Sequence, residues 1–159
     1  MFEKIIKNHF YSSILLISFL IIISALFIEH VLSIPACKLC LYQRIPYIFS
    51  IIICFLGFFF SKNKILLYLL ILVFLSSVIL SGYHIGIENN IFVEFSGCTN
   101  NSLGTIDKKE LLLSLNNSLP NCKDVNFKVF GLSLATINFI FSIALILITI
   151  RHLYNENYR

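Results

Sequence analysis

Charge is scarce in this chain. Only 13% of its 159 residues are Asp, Glu, Lys or Arg, roughly half the share of a soluble domain. With 58% hydrophobic residues and a mean hydropathy of +0.89, that scarcity excludes an ordinary soluble fold. A concentrated basic patch is missing too. The net charge is +4, but the 12 Lys and Arg residues are scattered and most flank apolar stretches. Such spacing argues against a nucleic-acid surface and for anchoring to lipid headgroups. Internal repeats are absent. Charge is wholly missing from Phe10 to Ile28, Ile45 to Ser61, Ile65 to Tyr83 and Val129 to Ile150. Each run reaches or approaches the roughly 17–25 apolar residues of a spanning helix. Only helices and closed barrels satisfy the backbone in lipid, and these runs are far too long for barrel strands.

The sequence therefore predicts an all-α integral membrane protein, an antiparallel bundle of four transmembrane helices in a single membrane domain over 1–159. The spans are expected at about 10–28, 41–60, 65–85 and 129–150. The second starts near Cys40, with Arg44 reaching back to the headgroups. The first follows Lys4 and Lys7, yet its apolar core exceeds that of a secretory signal, so a retained span is expected. Loops over about 29–40 and 86–128 emerge on one face, with a tight turn over 61–64 on the other. With the N-terminus inside, six Lys and Arg lie on each side. The inner ones crowd next to the spans, where the positive-inside rule has force. Both termini are therefore expected in the cytoplasm and the cysteine loops outside it. Within the large loop, Asp107 to Leu119 reads as an amphipathic helix, with Leu111, Leu112, Leu115 and Leu119 at helical spacing. Asn100-Asn101-Ser102 and Asn116-Asn117-Ser118 match the N-glycosylation pattern, as chance allows in a chain rich in asparagine.

Four of the five cysteines form two pairs outside the apolar runs: Cys37 with Cys40, and Cys98 with Cys122. Two runs separate the pairs, so a chain that crosses twice brings both pairs to one face. Cysteines three apart on a helical turn can close a disulfide. Cys40 is expected near a helix N-terminus with Arg44 one turn on, and both favour a thiolate. An inert staple or half of a zinc site is the plainer reading of a lone C-x-x-C. A Cys98–Cys122 disulfide could simply stabilise its loop by about 3 kcal/mol, in a non-catalytic scaffold. Against that, Gly97 and Thr99-Asn100-Asn101 surround Cys98 with a flexible setting that suits exchange. Four-cysteine zinc is disfavoured by the 23 residues between Cys98 and Cys122. Arg44 reads as a snorkelling anchor or as a cation beside a cofactor or thiolate. His84, with Glu88 one turn later, can point into the bundle as a proton donor or quinone ligand. His30 beside Glu29 reads as interfacial, and Cys54 as a packing thiol.

Pro35-Ala36-Cys37-Lys38-Leu39-Cys40-Leu41-Tyr42-Gln43-Arg44 resembles the signature of the disulfide-bond formation protein B family. The resemblance continues through Gly82 to Glu88, Gly97-Cys98-Thr99, Cys122-Lys123-Asp124 and Phe130 to Ala135, in the family's order. Vitamin K epoxide reductases also have four helices and two cysteine pairs, but their C-x-x-C comes late. The resemblance implies an inner-membrane protein-dithiol:quinone oxidoreductase. It would reoxidise a periplasmic thioredoxin-fold disulfide oxidase (DsbA-like) and pass electrons to ubiquinone or menaquinone. It implies that Cys98 accepts attack by the partner and that Cys122, once released, attacks Cys37. Cys40 then faces the quinone, with Arg44 and His84 beside it. Tyr42 and Gln43 shape the site; other members carry an acid at the position of Gln43.

Overall fold

The computed structural model describes residues 2–60, 63–93, 122, 128–129 and 131–157. The amphipathic segment expected over 107–119, both N-glycosylation matches and Cys98 lie outside the described residues. Helix α1 covers Phe2–His30, α2 Lys38–Tyr42, α3 Ile45–Phe59, α4 Ile65–Glu88 and α5 Leu134–Asn157. Two short strands, β1 (Lys128–Val129) and β2 (Leu132–Ser133), pair antiparallel just before α5.

Four stretches are long and apolar enough to cross a membrane: His9–His30, Lys38–Phe59, Ile65–Glu88 and Leu134–Asn155. The chain is a multi-pass, four-span membrane protein. Large apolar side chains face outward along every span, among them Phe19, Phe55, Leu72, Ile79 and Leu147. In water such a surface would be untenable; against lipid it needs no cover.

The elements depart from the expected boundaries for physical reasons. Nothing between Phe2 and His9 breaks a helix, so α1 begins well before its apolar run rather than after a separate tail. The second span is not one helix. Pro46 has no N–H to bond the Tyr42 carbonyl and its ring crowds that turn. The chain closes α2 with a tighter bond from Arg44 N–H to Leu41 O, 3.1 Å, and restarts with Pro46 in the first turn of α3. The fourth span starts later than expected, because Lys128 pairs with Ser133 and Val129 with Leu132 just before it. Gly131 takes φ +82°, a left-handed value that glycine adopts without strain. Ser133 then caps α5, its Oγ accepting from Thr136 N–H at 3.2 Å. That bond satisfies one orphan donor of the helix start. At the end of α4, Asn90 turns the chain with φ +59°.

Helix α4 packs most extensively on α5, α1 on α3, and α3 on α4. The main core gathers Tyr11 and Ile14 of α1, Tyr47 and Cys54 of α3, Leu67, Leu70 and Phe74 of α4, and Leu145 and Leu153 of α5. Tyr11 lies flat against Gly57, where an added Cβ would stand 2.6 Å from its ring. Helices α1 and α3 are also joined by Ser50 Oγ donating to Ser18 Oγ at 2.8 Å. Near the termini, the rings of Phe10 and His152 stack at 3.9 Å.

Candidate functional site

A second, smaller core sits at the end of the bundle where α2 meets the end of α4. It consists of Cys37, Leu39, Ile87 and Cys122, with Cys40 and Tyr83 packed on it. Thus Cys122, from the long segment after α4, lies against the C-x-x-C. Cys37 and Cys122 are buried and Cys40 is half-buried. The expectation that the early and late cysteines share one end of the bundle corresponds to this geometry for Cys122; Cys98 lies outside the described residues.

Cys40 lies in the first turn of α2, near the start of the second span, as the sequence reading expects. Cys37 occupies the N-cap of α2, and its Sγ accepts from Cys40 N–H at 3.3 Å. The α2 N-terminus therefore points a backbone donor at Cys37. The Cys37 thiol donates to Cys40 Sγ at 2.8 Å, so the two sulfurs interconvert between dithiol and disulfide with little movement. That bond, with burial, pushes the Cys37 thiol up to about 12 from the ordinary 9.0. Cys37 is thus built to be attacked rather than to attack.

Arg44 sits in the turn between α2 and α3. Its Nη1 is 2.5 Å from Glu29 Oε2 on α1, a partner the sequence reading did not find. One arm of the guanidinium is taken by Glu29, which leaves other donors of the fork for a ligand. His84 is buried at the end of α4. Its Nε2 lies 3.8 Å from Cys37 Sγ and 3.3 Å from the Cys122 carbonyl. Glu88 Oε1 is 3.8 Å from the same nitrogen. Its Nδ1 lies 3.1 Å from Gln43 Nε2. Behind Gln43 stand Asn138 of α5 and Tyr47 of α3, which also join the polar cluster. Cys37 Sγ, Cys40 Sγ and His84 Nε2 all lie within 4.8 Å of one another, a spacing that can enclose a thiophilic ion.

A cavity of about 210 Å³ opens beside this cluster. Its walls are mostly apolar, with Ile22, Ala25 and Ile28 from α1 and Leu134, Ile137 and Phe141 from α5. Cys40, Arg44, Tyr47 and His84 face the same space. Cys54 does not belong to the cluster; it is fully buried in the main core.

The family pattern described as disulfide bond formation protein DsbB matches residues 7–151, nearly the whole chain. The chain belongs to the DsbB family. Its similarity also extends to uncharacterized protein RP370 of Rickettsia prowazekii (strain Madrid E), 28% identical over 137 residues, which covers 82% of this chain and 78% of that one. Membership assigns the protein to disulfide-bond formation and a disulfide oxidoreductase role in a multi-pass membrane setting. In this DsbB-family chain the polar groups missed from sequence are Glu29, Tyr47 and Asn138. Asn138 carried a readable signal, since a carboxamide inside an otherwise apolar span seldom lacks a function.

Proposed function

We propose that this protein is a protein-dithiol:quinone oxidoreductase. It accepts electrons from a thioredoxin-fold dithiol oxidase outside the cytoplasm and delivers them to a membrane quinone. The observation that carries the reading is the packing of Cys122 against Cys37 and Cys40 beside an apolar cavity. A structural staple does not need three sulfurs in one buried cluster.

The exchange steps balance as follows. A partner thiolate attacks Cys98 of a Cys98–Cys122 disulfide, and Cys122 leaves as a thiolate. Cys122 attacks Cys37, the Cys37–Cys40 bond breaks, and Cys40 leaves with the electron pair. The partner's second thiolate then attacks its own mixed disulfide with Cys98, so the partner leaves oxidised and Cys98 is freed. Cys98 attacks Cys122, which restores the outer disulfide and leaves Cys37 and Cys40 as a dithiol. Cys37 and Cys40 re-form their disulfide as a quinone takes up their two electrons and two protons and departs as quinol. The net change is one partner disulfide formed and one quinone reduced.

The cavity residues fit a quinone ring. The volume suits one ring and the apolar walls match its faces. Arg44 offers guanidinium donors to a ring oxygen, and Cys40 borders the same space. In this role the cysteine cluster lies at the periplasmic face of the inner membrane, with the N- and C-termini in the cytoplasm, as the charges beside the spans favour. Ubiquinone and menaquinone share the ring carbonyls this site would bind. The test is coupled turnover: purified protein, a reduced thioredoxin-fold substrate and quinone should yield quinol and oxidised substrate together. Quinol formation that persists in a Cys40→Ser variant overturns the electron route.

A further inference from the structure

His84 ends a continuous chain of buried polar side chains. From α4 and α5 inward, Ser77 Oγ lies 2.8 Å from Ser142 Oγ, and Ser142 Oγ lies 2.9 Å from the Tyr47 hydroxyl. Tyr47 O–H donates to Asn138 Oδ1. Asn138 Nδ2 donates to Gln43 Oε1 at 3.3 Å, and Gln43 Nε2 meets His84 Nδ1 at 3.1 Å. A chain of hydroxyls and carboxamides can be polarised in either direction, so the group at its cysteine end decides.

At the cysteine end, His84 Nε2 faces the Cys122 carbonyl at 3.3 Å. A carbonyl can only accept, so Nε2 carries the proton. Neutral His84 then has a bare Nδ1, to which Gln43 Nε2–H donates. Gln43 Oε1 is left to accept from Asn138, Asn138 Oδ1 to accept from Tyr47, and Tyr47 to accept from Ser142. At the far end Ser77 O–H donates to Ser142. Reversing the chain would require both carboxamides, Gln43 and Asn138, to turn over from the placements they hold. A proton on Nδ1, in the other tautomer or in an imidazolium, requires that reversal. A bare Nε2, as a metal ligand needs, requires it as well.

We propose that Asn138, acting through Gln43, is a positioning residue that holds His84 as the neutral Nε2–H tautomer, with that proton directed at the Cys122 carbonyl and the Cys37 sulfur. The consequence is mechanical. The Nε2–H bond pins the backbone of Cys122 beside Cys37, so the exchange between them needs no search. It also supports negative charge on Cys37 when that sulfur is displaced. His84 is then a hydrogen-bond donor, neither a general base nor a zinc ligand. This role rests on the relay proposed above; the tautomer itself does not.

The test reads the tautomer directly. The chain has four histidines, so nitrogen-15 imidazole labelling in lipid bilayers, with His84 assigned through a His84→Asn variant, resolves its two ring nitrogens. The resting protein should show a bare Nδ1 and a protonated Nε2. An Asn138→Asp variant has nearly the same shape but cannot donate to Gln43. Gln43 then turns its Oε1 to the ring, and the proton should move to Nδ1. Exchange from Cys122 to Cys37 should slow by roughly tenfold, the worth of one hydrogen bond. Should that variant not assemble, Gln43→Glu asks the same question, because a carboxylate there accepts from Nδ1–H. A protonated Nδ1 in the unaltered protein, or an unchanged tautomer in a folded variant, overturns the proposal. The resting spectrum needs neither partner nor quinone. Failure of the relay would instead appear as absent turnover with the tautomer intact.

Discussion

Arg44 Nη1 and Glu29 Oε2 meet at 2.5 Å, tying the turn between α2 and α3 to the end of α1. The pair is partly exposed, at 17% and 27% of the two side chains, so solvent screens much of its attraction. Glu29→Gln is expected to lower stability by about 1 kcal/mol or less. Arg44→His removes the cation from the cavity. It should raise the apparent KM for quinone severalfold while leaving that for the protein partner unchanged. Steady-state assays that vary each substrate separately check this, and an unchanged quinone KM contradicts the role given to Arg44.

Cys37 is held protonated. Its thiol, raised from 9.0 to about 12, contributes stability that is fully present below 9.0 and is lost as pH rises toward the folded value. Alkylation follows the thiolate. In the reduced protein Cys37 should react with iodoacetamide at least roughly tenfold more slowly than free cysteine near pH 8. Its rate should keep climbing above 9.0, where an ordinary thiol levels off. Peptide mass spectrometry of timed reactions measures both. A plateau in the ordinary thiol range contradicts the hydrogen bond to Cys40.

Gly57 lets the Tyr11 ring of α1 lie directly against α3. A methyl group at this position would stand 2.6 Å from the buried Tyr11 ring. Gly57→Ala should destabilise the bundle by about 1–3 kcal/mol, read as a lower midpoint of thermal unfolding in detergent. A Gly57→Ala, Tyr11→Leu double variant should recover part of that loss.

Cys54 lies in the main core, apart from the sulfur cluster. Cys54→Ala should therefore retain coupled turnover, at a stability loss of about 1 kcal/mol from the small void. Loss of turnover in a folded Cys54→Ala protein would place this thiol in the relay after all.

Much of the architecture was legible because charge in lipid is costly. Four uncharged runs can be little else than spans, and Cys37, Cys40 and Arg44 stand in a recognisable order. The break at Gln43-Arg44 was not read, although Pro46 announced it, because an apolar run averages over a single missing donor. The sequence reading placed Cys40 near the start of the second span, where it lies in the first turn of α2, but did not foresee that Cys37 caps that turn. The contacts that shape the site were beyond reach of spacing. Glu29 and Arg44 come from different elements, and Gln43, His84 and Asn138 meet only once α3, α4 and α5 pack. The start of α5 shifted because Gly131 allowed a hairpin that hydropathy does not register.

The central claim is that Cys122 exchanges with Cys37. It is tested most directly in a Cys40→Ser protein, where Cys37 cannot pair with Cys40 and the reverse of the restoring step, Cys37 displacing Cys98 from Cys122, joins the two. Non-reducing peptide mapping after purification in the presence of a thiol trap should find Cys37 joined to Cys122, with Cys98 free. A map that contains only Cys98 joined to Cys122, with Cys37 fully alkylated, would contradict the relay.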